Sequence, residues 1–404
     1  MDAYRAAEDV ARTSYGRLVA LLARSTRDIA AAEDALGEAL IAALEHWPVD
    51  GIPSRPEAWL LTTARRRVIG TVRRSATAMR NQAELVRLQD ELDEPVRRAA
   101  VPDRRLELMY TCAHPAIDRR IRSPLMLQTV LGLDAARIAA AFVVAPSTMG
   151  QRLSRAKSKI RDAGIPFTVP DAGDLEARTT SVLDAVYAAF GTGWDDPDAI
   201  GPRRRGLTAE AIRLGRLVVD LRPGDAEARG VLALMLHSEA RRTARRDARG
   251  EFVPLGDQDT SQWAVELIVE AEQHLDAAAH RNDLGPYQLH AAIQSVHNRR
   301  ALTGETDWPT IARLYDGLVA LQPSLGASVA RAAAHGNAHG PAAGLTLISQ
   351  IDEAAATSYQ PYWVTRAHLL ARLGDRTAAS AAATRAIGLT ADDAVRRHLV
   401  RTFA

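Results

Sequence analysis

Apolar residues recur at spacings of three and four along nearly all of this 404-residue chain, and strict alternation is scarce. That spacing lays one apolar stripe along a helix and gives a half-buried strand no face to bury. Alanine and leucine, both strong helix formers, fill many of the apolar positions, while β-branched runs stay short. Aromatic residues make up 5%, few for a sandwich or barrel core. The expected fold class is therefore all-α. At roughly 150 residues per domain, two or three domains are expected. No stretch approaches the ~18 consecutive apolar residues that span a bilayer. The opening MDAYRAAEDVAR has no basic region followed by an apolar one, so neither a membrane span nor a signal peptide is expected. A single cysteine, Cys112, excludes an intrachain disulfide and fits a reducing cytoplasm.

Proline and glycine punctuate the helical pattern. PVDGIPSRP (48–56) interrupts a block over about 4–80, and DELDEP (90–95) precedes a second block over about 103–163. GIPFTVPDAGD (164–174) holds two prolines and two glycines and is the strongest domain boundary on composition. A longer helical region fills 175–404. Charge divides at the same place. Residues 1–170 carry 26 basic and 20 acidic side chains, net +6; residues 171–404 carry 25 and 29, net −4. The formal total of +2 thus sums a basic front and an acidic back.

The back region has a repeat-like phase. AIRLGRLVVDLRP ends at Pro223, IARLYDGLVALQP ends at Pro323, and RLGDRTAASAAATRAIGLTA reaches its equivalent position at Ala391. Those separations are close to three and two units of about 34 residues. The period is that of the tetratricopeptide helix pair; any tightly packed array of α-hairpins would serve as well.

The most basic block lies in the second helical region. From Arg119 to Arg161 nine basic residues face one acid, Asp134. Within it, LDAARIAAAFVVAPSTMGQRLSRAKSKIR (133–161) reads as a helix-turn-helix. Asp134 N-caps a short helix through Ala141, a turn covers Phe142–Ala145, and Pro146 opens a second helix. Met149, Leu153, Ala156 and Ile160 form one buried stripe, opposite Ser147, Gln151, Arg152, Arg155, Lys157 and Lys159. Short polar groups at the start of such a helix reach base edges, and the later cations neutralise phosphates.

These 29 residues resemble the promoter-reading helix-turn-helix of bacterial sigma factors of the extracytoplasmic-function group. Leu133, Ile138, Ala139, Val144, Thr148, Arg152, Leu153, Arg155 and Ala156 match that pattern. Two further segments resemble the same family in its own order. AAEDALGEALIAAL (31–44) is similar to the helix that docks on the coiled coil of the largest polymerase subunit, with Glu33, Asp34 and Glu38 coinciding. WLLTTARRRVIGTVRR (59–74) is similar to the helix that holds the melted minus-ten element. There Arg65, Arg66, Arg67, Arg73 and Arg74 supply cations for single-stranded phosphates. The loop before it (46–57) would hold an extruded base, and Trp47 and Trp59 read either as its apolar walls or as core residues.

The resemblance implies sigma region 2 over 1–80, a linker over 81–102, and sigma region 4 over 103–165. A hinge over 166–174 and a tetratricopeptide-like regulatory domain over 175–404 would follow. It implies core RNA polymerase and promoter DNA as partners, with a possible protein or peptide partner for the repeats and no membrane. The implied DNA-binding set is Arg65, Arg66, Arg67, Arg73, Arg74, Ser147, Thr148, Gln151, Arg152, Arg155, Lys157 and Lys159. It implies no catalytic residue, metal or cofactor. Two competing readings stay open: a helix-turn-helix regulator that senses a ligand through its repeats, and an enzyme using the Asp/His-rich stretch at 237–297. In that stretch no H-E-x-x-H or paired-cysteine spacing supports a metal.

Overall fold

The computed structural model describes residues 3–75, 103–142, 144–194, 202–281 and 283–403. Among them the backbone is almost entirely helical; an isolated bridge between Arg246 and Phe252 is the one β-pairing. The chain forms two compact units, Met1–Leu217 and Val218–Ala404.

The first unit begins with three helices, α1 (Ala3–Thr26), α2 (Ile29–Asp50) and α3 (Pro56–Ser75), packed on one another. Asp28 starts α2, its carboxylate accepting from the Ala30 and Ala31 amides. The helix runs through Pro48 rather than stopping before it, and Gly51, at φ 87°, ends it. Pro48 lies in the last turn of α2, where its missing N–H removes one i→i−4 hydrogen bond, the one to the Leu44 carbonyl. Four short helices follow: α4 (Arg105–Cys112), α5 (Arg119–Leu131), α6 (Ala135–Ala141) and α7 (Pro146–Asp162). The longer α8 (Ala172–Trp194) and α9 (Pro202–Leu221) come next.

Two features weld these elements together. Gly16 of α1 faces the backbone of α5, and a Cβ there would lie 1.8 Å from the Val130 carbonyl oxygen. Alongside it, Tyr15 packs on Gly132, which ends α5 in the left-handed conformation. The composition break at 164–174 lies inside this unit, not between units. Ile165 and Phe167 are buried, Thr111 Oγ1 donates to the Pro166 carbonyl at 3.1 Å, and α8 packs across α4 and α5. A domain boundary needs few crossing contacts, and this turn is anchored by buried side chains. Arg105, almost wholly buried, pairs with Asp103 and Glu210, which ties α9 to α4.

The second unit is an array of helices joined by short turns. It comprises α10 (Ala226–Glu239), α11 (Val265–Ala279), α12 (Pro286–Asn298), α13 (Trp308–Leu321) and α14 (Leu325–Ala338). The array continues with α15 (Pro341–Ile348), α16 (Gln360–Arg372), α17 (Arg376–Gly388) and α18 (Asp393–Phe403). Side-chain caps start several of these helices. Asp225, Ser324 and Asp392 follow the three aligned segments, and each accepts hydrogen bonds from the first turn of the next helix. HGNAHG (335–340) is the end of α14 and the turn after it, where Gly336 and Gly344 let α14 and α15 cross in near-backbone contact. Between α10 and α11 an irregular loop, 240–264, is fixed from two sides. Arg300 donates to the carbonyls of Leu255, Gly256 and Gln258 at 2.7–2.9 Å and lies over the Trp263 ring. On the other side Glu251 pairs with Arg397 and Arg401, and Arg246 with Asp392.

The Gly16 contact yields a direct test. Gly16→Val inserts three carbons against a backbone carbonyl, and overpacking of this kind costs about 1–3 kcal/mol. Thermal unfolding should show a clear drop in midpoint, larger than for Gly37→Val, whose Cβ would meet open space.

Candidate polymerase and nucleic-acid interface

The second helix of the helix-turn-helix, α7, buries Met149, Leu153, Ala156 and Ile160, the stripe expected from spacing. Asp134 caps α6 through the Arg137 amide at 2.8 Å. The turn closes with Phe142 N–H to Ile138 O and Val144 N–H to Ala139 O. On the outer face Ser147, Gln151, Arg152, Arg155 and Lys159 are exposed, and Thr148 is half-buried. Lys157 departs from that row. Its side chain is 11% exposed, turned away from solvent and paired with Glu33 of α2.

On α2, the acidic residues separate in the same way. Asp34 and Glu38 are exposed, whereas Glu33 is 16% exposed and held by Lys157. A second pair, Arg161 to Asp28 at 3.5 Å, lies beside it. Burial raises the Glu33 carboxyl above the usual carboxylate range, and Lys157 opposes the shift. Burial also raises the nearby Tyr15 phenol, with Glu33 and Asp34 adding to it. The outer face of α2 carries two apolar residues that motif matching passes over, Ile41 (58% exposed) and Leu44 (40%). Their signal in the sequence is positional: they stand three and six residues beyond Glu38, off the buried stripe of Ala32, Ala35, Leu36, Ala39 and Ala43.

Helix α3 buries Leu60, Leu61, Ala64 and Val68 and presents Arg66 and Arg67 to solvent, with Arg65 half-buried. Arg67 Nε lies 3.7 Å from Glu38. The side chains of Arg73 and Arg74 lie outside the described residues. Trp47 is buried and meets Trp59 edge-on at 5.6 Å, so Trp47 is a core residue under the start of α3. Cys112 is wholly buried beside Thr129, with its thiol pushed up to about 12 by burial.

The Asp/His stretch of the second unit forms a buried polar network around His237 and Arg241. His237 is inaccessible to solvent, and its Nδ1 faces the Asn298 side-chain amide at 3.0 Å. Arg241 donates to Asn298 Oδ1 and Gln294 Oε1. Glu239 pairs with Arg242, and Asp259 caps a short turn through Ser261. No three potential metal ligands gather among the described residues. Burial, with Arg241 adding to it, lowers the His237 pKa to about 3. The folded state therefore keeps this ring neutral, while the unfolded chain takes a proton below about 6.5. Stability present above that pH is lost as pH falls toward 3, at no more than ~1.4 kcal/mol per pH unit for this group. Urea titrations between pH 7 and 5 should show the second unit weakening on acidification, and His237→Gln should flatten that slope.

Residues 10–77, which cover α1–α3, match the family Sigma-70 region 2. Residues 178–279 match a family of unknown function, DUF6596. An uncharacterized protein of Rhizobium meliloti (strain 1021) is 38% identical over 373 residues, covering 91% of this chain and 88% of that one. No solved structure matches the chain significantly. Among the described residues no helix is long and apolar enough to cross a membrane.

Proposed function

The chain belongs to the sigma-70 family of transcription initiation factors, in one family with the Rhizobium meliloti protein, and from that premise we propose that it is an alternative sigma factor of the extracytoplasmic-function group. One observation carries this reading. The region 2 match spans α1–α3, and a helix-turn-helix with an exposed cationic face follows it in the family's order. Asp34 and Glu38, with Ile41 and Leu44 beyond them, supply a mixed acidic and apolar face suited to docking on core polymerase. Glu33 belongs to the same helix. Arg65, Arg66 and Arg67 of α3, with Arg73 and Arg74 in the same run of sequence, are proposed to bind the melted minus-ten element. Ser147, Thr148 and Gln151 read the minus-thirty-five element, and the exposed Arg152, Arg155 and Lys159 hold its phosphates, while Lys157 stays paired with Glu33. The factor acts in the cytoplasm, contributes no active site, and leaves the chemistry to polymerase.

The acidic helical array, tetratricopeptide-like in its phase, regulates initiation in cis. Its support is the fused array itself and the opposite net charges of the two parts of the chain. Run-off transcription on pooled genomic fragments tests both statements. The full chain with core polymerase should start transcripts at discrete sites, and a chain ended at Pro223, which keeps α9 whole, should differ in output. Equal output removes the regulatory statement. Failure of both chains removes the sigma reading and leaves a helix-turn-helix regulator.

DNA binding carries its own expectation. Each phosphate contact contributes a slope of about −0.9 to log affinity against log salt. Arg152→Ala and Arg155→Ala should each weaken duplex binding and flatten that slope by about 0.9, measured by fluorescence anisotropy between 50 and 200 mM salt.

A further inference from the structure

The loop between α10 and α11 is held firmly at its base and lightly at its tip. At the base, Arg300 bonds three loop carbonyls, Trp263 is buried, and the Ala264 amide donates to the Ala240 carbonyl at 2.9 Å. The tip, residues 246–252, keeps its own shape. Asp247 Oδ1 accepts from the Arg249 and Glu251 amides at 2.8 and 2.9 Å, Gly250 turns the chain at φ 79°, and Arg246 bridges to Phe252. This self-contained turn is seated on α18, whose contacting residues lie 146 to 150 positions further along. Glu251 offers one carboxylate oxygen to Arg397 at 2.7 Å and the other to Arg401 at 3.1 Å. Phe252 meets the His398 ring edge-on at 5.5 Å, and Arg246 pairs with Asp392. Arg397 and Arg401, one helical turn apart, thus hold a carboxylate between two guanidinium groups while the ring beside them meets an aromatic side chain.

We propose that the Arg397–His398–Arg401 face of α18 is a docking site for a partner peptide bearing a carboxylate followed directly by an aromatic residue, and that Glu251–Phe252 fills this site in the free chain as a built-in stand-in. The site lies in the second unit and does not depend on the sigma reading. Its occupant follows from the segment already seated there and from charge complementarity, since arginine clusters recognise acidic motifs. The seat is reversible. Arg397 and Arg401 are 53% and 57% exposed, so water and salt compete for their pairs with Glu251, and exposed pairs of this kind add little net stability. The bonds that shape the tip run within residues 246–252, so the tip can leave α18 and keep them. Val400, next to Arg401, is 48% exposed, and a partner with an apolar residue beyond its aromatic one gains surface that the tip leaves largely uncovered. A tethered tip competes at an effective concentration of about 1 mM, so a free peptide of ~0.1 mM intrinsic affinity binds roughly tenfold more weakly while the tip is in place.

Fluorescence anisotropy on the full chain tests this, with a labelled peptide of the tip sequence, RDARGEFVP (246–254), as the probe. The native chain should bind it about tenfold more weakly than the Glu251→Ala/Phe252→Ala chain, in which the seat is vacated. Glu251→Gln alone, which removes the charge and keeps the ring contact, should fall between the two. Adding Arg397→Glu and Arg401→Glu to the vacated chain should abolish binding of this peptide and create binding of the same peptide carrying Glu251→Arg. Arg397→Gln with Arg401→Gln, a milder change to α18, should cause the same loss, with helix content unchanged by circular dichroism. Native and vacated chains that bind the peptide equally overturn the built-in stand-in. A vacated chain that does not bind it overturns the docking site. Binding that survives loss of both arginines, or a reversed peptide that fails to bind the reversed chain, overturns carboxylate recognition by Arg397 and Arg401.

Discussion

A part-buried ion pair between Lys157 and Glu33 joins α7, which resembles a promoter-reading helix, to α2, which resembles a polymerase-docking helix. It sits where α1, α2, α5 and α7 converge, close enough to influence the Tyr15 phenol and the Cys112 thiol. Removing either partner alone would leave the other's part-buried charge uncompensated. The tight approach of α1 to α5 at Gly16 brings these groups within reach, and the pair then fixes which faces of α2 and α7 remain open to solvent.

The second unit solves a different problem, an irregular loop of 25 residues inside a helical array. Backbone groups in such a loop lack helical partners and must find others. Arg300 satisfies three of its carbonyls at once, and Arg246 and Glu251 tether its tip to residues around α18. Beneath it, Arg241 is held by the amide oxygens of Asn298 and Gln294, with neutral His237 alongside. The aspartates and histidines that look like a metal or catalytic cluster along the sequence are thus taken up by caps, turns and this network.

Local features were legible in the sequence because local rules set them. The 3.6 periodicity marked the helices, the i, i+4, i+7, i+11 stripe marked the buried face of α7, and Asp134 marked the start of α6. Features set by partners far along the chain were not legible. Nothing near Gly16 signals that a carbonyl at residue 130 will press on it. Nothing near Lys157 says that its partner lies 124 residues earlier, so spacing alone placed it with its exposed neighbours. Proline and glycine misled twice for one reason: they report what the backbone can do, not what packs over it. Pro48 sits inside α2, and the 164–174 turn is covered by its own Ile165 and Phe167. The acidic motif of 31–44 pointed to α2 but not to its exposed Ile41 and Leu44, because their exposure depends on which stripe the neighbouring helices bury.

Core RNA polymerase is proposed to dock on the outer face of α2. A photo-crosslinking amino acid at Ile41, which is exposed, addresses it directly. Illumination with core polymerase should give one dominant adduct, to the largest subunit, and the adduct should disappear when Asp34 and Glu38 are both reversed to lysine. Absence of any polymerase adduct from Ile41, with the chain folded and polymerase in excess, would contradict the account.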